Sequence, residues 1–251
     1  METYNNLKYS KNFTICHGLS DEIWDIENVV LHPNTKVIKQ KAFCGTSVKN
    51  VEFNKDLEFI EDQAFRATKL ENLIINSSVT IFDSPFECNG NLKNVIINAI
   101  EIPNYCFNGC TIKNLVINSK KIGFSAFHHC NIDKISFLNT TEIIARFAFQ
   151  CTDFGIDEIK LPNSLKAIGQ MAFANTNLSY IKIPDSVKDL ECRIVNATDK
   201  TKILVSEKIY NEFKENLDTT NVEICSIDYL LDNGKSFKEI NNFYKKFEME
   251  I

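Results

Sequence analysis

Nine cysteines and four histidines are the residues of this chain best suited to carry chemistry. Cys44, Cys88, Cys110, Cys130 and Cys151 recur at intervals, and His128 and His129 stand directly before Cys130. Thiolate and imidazole together are zinc donors, and a thiol beside an imidazole is the pair that nucleophilic catalysis uses. Neither pattern is developed. No Cys-x-x-Cys pair, no His-Glu-x-x-His and no Gly-rich phosphate loop occurs. His17, His32, His128 and His129 read as surface or turn residues. Asp21-Glu22 and Asp157-Glu158 read as solvated positions at strand edges. No catalytic residue, cofactor or metal is assigned from the sequence, and the chain reads as a non-enzyme. Disulfides between neighbouring segments are the alternative for some thiols. The odd cysteine count and a polar start, Met1 to Lys8, with no apolar secretory segment point instead to reduced thiols in a cytoplasmic setting.

What must position these residues is a repeat. Seven phenylalanines recur, Phe43, Phe65, Phe86, Phe107, Phe127, Phe149 and Phe173, at spacings of 22, 21, 21, 20, 22 and 24 residues. Five residues before each stands an isoleucine: Ile38, Ile60, Ile81, Ile102, Ile122, Ile144 and Ile168. Leu190 and Val195 fill the two positions in a fading eighth copy. After each phenylalanine comes apolar-x-x-apolar-x-apolar, as in Leu92-x-x-Val95-x-Ile97 and Leu178-x-x-Ile181-x-Ile183, with an upstream copy at Ile26-x-x-Val29-x-Leu31. The last four residues of that pattern alternate with period two, the mark of a strand with one buried face. A unit this short cannot bury its apolar edge alone. Stacked units can, by placing like residue on like residue in a parallel sheet.

The segment Ile168-Gly169-Gln170-Met171-Ala172-Phe173, followed by Leu178-Ser179-Tyr180-Ile181-Lys182-Ile183-Pro184-Asp185-Ser186-Val187, resembles the BspA-type leucine-rich repeat. The resemblance covers roughly residues 26–205. Central copies depart from it by carrying Asn54, Asn76, Asn98 and Asn118 where the pattern has proline, and the glycine after isoleucine survives only at Gly123 and Gly169. The resemblance implies a leucine-rich-repeat solenoid, a right-handed β/α or β-rich superhelix. It would have a parallel sheet on one face, short helical turns and loops on the other, and the cysteines after the phenylalanines as interior filler. It also implies binding, in a family that includes surface and secreted adhesion proteins.

Residues 1–25 are expected to cap the first coil with Phe13, Ile15 and Trp24, and 26–205 to form seven to eight repeats. Residues 206–251 are expected to form a mostly helical cap. Lys202–Val205 reads as the last strand. Ile209, Phe213 and Leu217 line one helix face, and a capping box at Ser236–Glu239 opens a second helix with Phe237, Ile240, Phe243 and Phe247 in line.

The outward residues of successive strands are Val30, Glu52, Ile74, Ile96, Val116, Ser136, Lys160 and Lys182. Ile74, Ile96 and Val116 would form an apolar strip, continued by Ser136 and rimmed by Lys160 and Lys182. Contiguous exposed apolar surface marks contact sites. The strip equally suits strands that simply favour β-branched residues, or a terminal segment folded over it. The expected function is binding of another protein through the sheet by a monomer. The alternative is a surface adhesion fragment that binds matrix protein or glycan, with stacked Asn50, Asn72, Asn94 and Asn114 as possible sugar readers. A net charge of -5 and a pI near 5.5 argue against nucleic acid. No apolar run approaches the ~18 residues of a membrane span, so no insertion is expected.

Overall fold

The computed structural model describes residues 1–20, 25–76, 78–196 and 200–217, and the backbone of 222–224. The chain winds into a solenoid of about eight turns. The coils are numbered here by their anchors, from Phe43 in coil 1 to Phe173 in coil 7 and Val195 in coil 8.

Each coil has three sides. One side is the main strand, such as Leu92–Ile97, Thr111–Ile117 and Asn131–Phe137. These pair parallel and in register, with Val95 on Leu115 and Leu115 on Ile135. The second side is a two-residue strand that ends on the isoleucine. Val37–Ile38, Phe59–Ile60 and Thr80–Ile81 pair in one sheet, and five more, from Glu101–Ile102 to Asp189–Leu190, in another. The isoleucine column is therefore a strand column.

The third side carries the phenylalanines, and here the expectation of short helical turns is corrected. The coils contain no helix among the described residues; Glu207–Phe213 is the helix found there. Two residues before each anchor the backbone is left-handed, at Lys41, Gln63, Ser84, Tyr105, Ser125, Phe147, Met171 and Arg193. Two residues after, it is left-handed again, at Gly45, Ala67, Cys88, Gly109, His129, Cys151 and Asn175. Residues of opposite hand so close together cannot propagate a helix. Their N–H groups point along the solenoid axis instead. Phe43 N donates to Ala64 O, Phe107 N to Ala126 O and Phe127 N to Ala148 O, each at 2.8 Å. This third ladder runs between all consecutive coils, ending with Phe173 N on Ile194 O at 2.8 Å.

Inside, the phenylalanines stack ring on ring. Centroids lie 5.0 to 5.7 Å apart and interplanar angles stay at or below 15°. All seven rings are fully buried. Each stacked pair adds about 0.5–1.5 kcal/mol beyond simple burial. Three residues after the anchor lies a column of donors that satisfies the anchor carbonyls. Thr68 Oγ1 and Asn89 Nδ2 donate to Phe65 O, Thr152 Oγ1 to Phe127 O, and the thiols of Cys110 and Cys130 to Phe86 O and Phe107 O.

At the N-terminal end, Glu2–Tyr4 and Leu7–Tyr9 form a hairpin through Asn5 and Asn6, both at positive φ as a two-residue primed turn demands. Leu7–Tyr9 pairs antiparallel with Ile15–Leu19, which pairs parallel with Val37–Ile38. Phe13 and Ile15 are half-buried; Trp24 lies outside the described residues. His32, expected as a surface or turn residue, opens a turn by accepting from Thr35 N at 2.9 Å but also packs between Phe13 and Tyr4, with centroids at 4.5 and 4.8 Å. At the other end, Ser206 caps Glu207–Phe213 by accepting from Ile209 N at 3.3 Å, with Ile209 and Leu217 buried and Phe213 half-buried. Lys202–Val205 is not the last strand, because Val222–Ile224 pairs parallel with it. The second helix expected from Ser236 to Phe247 lies outside the described residues.

Candidate binding surface

The outer face of the main sheet holds the residues singled out in the sequence. Ile74, Ile96 and Val116 are direct neighbours in register, and Val116 is followed by Ser136. Ile74 is 57% exposed. Ile96 and Val116 are half-buried because each is flanked by a β-branched or aliphatic neighbour on the adjoining strand, and Ser136 is exposed. Four strands thus carry one unbroken strip.

The expected column of eight is interrupted twice. Asn28–Val30 and Asn50–Glu52 form a separate two-stranded sheet, without ladder pairing between Asn50–Glu52 and Asn72–Ile75. Glu52 is therefore not bonded to Ile74. An open groove of about 550 Å3 lies there, lined by Asn50, Val51, Glu52, Phe53, Asn72, Ile74 and Asn76. The second break follows Ser136. Asn131–Phe137 pairs with the extra strand Asp153–Phe154, while Glu158–Ile159 begins another sheet. The 24-residue spacing from Phe149 to Phe173 supplies the additional length. Lys160 and Lys182 consequently belong to a different sheet from the strip; Lys160 is exposed and Lys182 half-buried. Opposite Lys182 stands Leu204, which is fully buried, so the outer face is covered at its C-terminal end and open at Ile74.

Beside the strip run amide ladders. Asn50 Nδ2 donates to Asn28 Oδ1 at 2.8 Å, Asn94 Nδ2 to Asn72 Oδ1 at 2.8 Å, and Asn114 Nδ2 to Asn94 Oδ1 at 3.0 Å. The ladder is interrupted between Asn50 and Asn72, the place where the sheet opens. In the second column, Asn118 Nδ2 donates to Asn98 Oδ1 at 3.1 Å, whereas Asn54 serves its turn by accepting from Asp56 N at 3.0 Å.

The five cysteines after the anchors do not share one interior place, contrary to the filler reading. Cys110 and Cys130, three residues on, are buried; Cys44 and Cys151 are half-buried and Cys88 is exposed. The left-handed backbone two residues after the anchor turns Cys88 and Cys151 outward. Burial pushes the Cys130 thiol up to about 12 and holds that of Cys110 well above its ordinary value, so neither is a nucleophile at neutral pH. The eight described cysteines are all free thiols.

The model of the BspA type leucine rich repeat region matches residues 20–121 and 120–242, with 6 copies. The chain belongs to this family. No curated protein matches this BspA-type chain. Among solved structures it is similar to the pneumococcal vaccine antigen PcpA, at 16% identity and a TM-score of 0.43 over 79% of each chain. It is also similar to a leucine-rich repeat protein from Bacteroides ovatus, at 15% and 0.34 over 89% of this chain and 99% of that one. A leucine rich cell surface protein from Faecalibacterium prausnitzii matches at 14% and 0.37 over 96% of each. Among the described residues, no helix of this BspA-type repeat protein is long and apolar enough to cross a membrane.

Proposed function

We propose that the chain is a non-enzymatic interaction module that binds another protein on the outer face of its main sheet, with Ile74, Ile96 and Val116 at the centre and Ser136 at one edge. The observation that carries this reading is the exposure of Ile74, 57% open to solvent yet in register with two further apolar side chains. A lone exposed isoleucine needs no explanation, but a strip beside an open apolar groove has the character of a contact site. Val51, Phe53 and Ile74 line that groove and extend the apolar area. Lys160 and Lys182 supply positive charge beyond the second sheet break. The asparagine amides bond to one another, so the apolar strip, rather than a row of free amides, is the recognition element.

The test is affinity capture with the intact chain, compared with Ile74→Lys and Ile96→Lys. A bound protein retained by the parent and lost from both variants supports the reading, provided the circular dichroism spectra and unfolding midpoints match. Ile74→Lys should shift stability by no more than about 0.5 kcal/mol, as for ordinary surface changes. Equal capture by parent and variants, or collapse of the fold in Ile74→Lys, would overturn it.

A further inference from the structure

At one edge of the solenoid, the positions two residues beyond the anchors face outward from coil to coil, joined in coil 5 by the position one residue beyond. In coil 5 these are His129 and His128, and in coil 6 the position two residues beyond is Cys151. One nitrogen from each imidazole and the sulfur of Cys151 lie within 4.8 Å of one another. The backbone beneath them is fixed by the third ladder: His129 N donates to Gln150 O at 3.0 Å, Cys151 N to Ala174 O at 2.9 Å, and His128 O accepts from Gly109 N at 2.9 Å. Amides flank the cluster. Asn108 Nδ2 lies 3.4 Å from His128 Nδ1, and Asn175 Nδ2 donates to Cys151 Sγ at 3.7 Å. The second contact places an amide donor against the sulfur and fixes its position at the edge.

The geometry points to a site for one borderline-soft divalent cation, zinc foremost, held by His128, His129 and Cys151 as a bridge between coils 5 and 6. Two imidazoles and a thiolate are a donor set that zinc takes in sites with an open fourth position. Tetrahedral bonds of about 2.0–2.1 Å to nitrogen and about 2.3 Å to sulfur bring the donor atoms closer together than they now lie, by an ångström or so. Side-chain rotation supplies this, since His129 is exposed and the other two are half-buried. Both imidazoles bind through a nitrogen lone pair. Cys151 gives its proton to solvent as the sulfur–metal bond forms, so uptake releases acid. The fourth position faces water. At this junction the main strand Asn131–Phe137 pairs through its first two residues, with Asp153–Phe154, so the bridge fastens coils whose strand pairing is incomplete. This site lies off the main sheet and does not depend on the binding surface proposed above.

The test uses the full chain with Cys44, Cys88, Cys192 and Cys225 changed to serine, leaving Cys151 in place. Titration with Co2+ should give a one-to-one complex with tetrahedral d–d absorption and a sulfur-to-cobalt charge-transfer band, and Zn2+ should displace it. Cys151→Ala should abolish the band, and His129→Ala should weaken binding roughly tenfold or more, while Asn108→Ala, acting through His128, should weaken it about tenfold. Cys151→His is the second variant: it should retain the metal without the charge-transfer band, which also covers the case of an alanine variant that fails to fold. No uptake by the parent, or a charge-transfer band unchanged in both Cys151 variants, would overturn the proposal.

Discussion

At the scale of single residues, the fold is decided by what fits between coils. A Cβ on Gly169 would stand 2.4 Å from Arg146 N and 2.7 Å from Ala145 C, and one on Gly123 would stand 2.7 Å from Ile102 O. These are backbone atoms and cannot swing aside. Gly90 has nothing within 4 Å. Gly169→Ala should therefore cost about 1–3 kcal/mol, as overpacking does, while Gly90→Ala should stay within about 0.5 kcal/mol. Urea midpoints measured side by side test the contrast, and equal shifts would refute it. Thiol chemistry gives a second expectation. Cys88 and Cys192 are exposed, whereas Cys16, Cys106, Cys110 and Cys130 are buried with their thiols held above the ordinary range. Under native conditions iodoacetamide should label the first pair rapidly and the four buried thiols only as the chain unfolds; peptide mapping at early times reads the difference.

The isoleucine and phenylalanine columns were legible in the sequence because burial demands the same kind of side chain at every turn. The left-handed positions were not. They are filled by Lys41, Gln63, Ser84, Tyr105 and Phe147 as readily as by glycine, and no residue preference marks them. The strain is held by hydrogen bonds to the next coil, a force that a single coil's sequence does not record. The same blindness hid Cys151 from His128 and His129. The sequence invites a pairing with the adjacent Cys130, but that thiol points inward to Phe107 O. Counting two residues past each anchor, Phe127 and Phe149, would have aligned His129 with Cys151. The apolar strip on the main sheet was readable from period two, whereas its interruptions arise from coil length and pairing.

At the scale of elements, one proline accounts for a missing rung. The residue after each column isoleucine donates to the isoleucine carbonyl of the preceding coil: Phe82 N to Ile60 O at 3.0 Å, Gly123 N to Ile102 O at 2.8 Å, Ala145 N to Ile122 O at 2.9 Å. In coil 4 that residue is Pro103, which has no N–H to give Ile81 O. The isoleucine sheet is divided at this junction, between Thr80–Ile81 and Glu101–Ile102. Ile81 is half-buried where Ile60 and Ile102 are fully buried, and a cleft of about 530 Å3 opens beside Phe82, Ile100 and Pro103. Pro103→Ala should restore the donor. The expected result is a new amide at position 103 that exchanges slowly with solvent. The net change in stability should be small, since a hydrogen bond contributes about 0.5–1.5 kcal/mol and loss of the proline returns about 0.4–1 kcal/mol of freedom to the unfolded chain. Rapid exchange at position 103 would show that coil length, rather than the missing donor, divides the sheet. Ion pairs between successive coils, such as Lys36–Glu58 and Lys121–Glu101, both at 2.6 Å, are solvent-exposed and add little to this ordering.

At the scale of the whole molecule, backbone pairing and ring stacking join each coil to its neighbours, with the exposed Arg146–Glu191 ion pair at 2.6 Å reaching from coil 6 to coil 8, so stability is close to a sum of coil and junction contributions and the ends matter most. The interruptions are staggered. The main sheet breaks between coils 1 and 2 and within coil 6, between Asp153–Phe154 and Glu158–Ile159, the isoleucine sheet between coils 3 and 4, and the phenylalanine-side ladder at none of these. Every junction therefore keeps at least two of its three connections or a continuous aromatic stack. The N-terminal end holds a group pair that should make it sensitive to alkali. Tyr9 and Cys16 are fully buried and paired in register. Burial pushes the Tyr9 phenol up to about 12 from 10.0 and the Cys16 thiol up to about 11 from 9.0. Both are neutral in the folded cap, and an unfolded cap ionises first as pH rises. Their contribution is thus fully present below about pH 9 and is lost progressively from there toward pH 12. Denaturant midpoints followed from neutral to alkaline pH should fall in the parent chain. The fall should be shallower in a Tyr9→Phe, Cys16→Ala variant, after its lower starting stability is subtracted, because Tyr9 Oη no longer accepts from His32 N and the cap no longer contains either acid. Parallel pH profiles for parent and variant would mean that the cap is not where alkali acts, and that the thiols deeper in the solenoid, Cys106, Cys110 and Cys130, govern the loss instead.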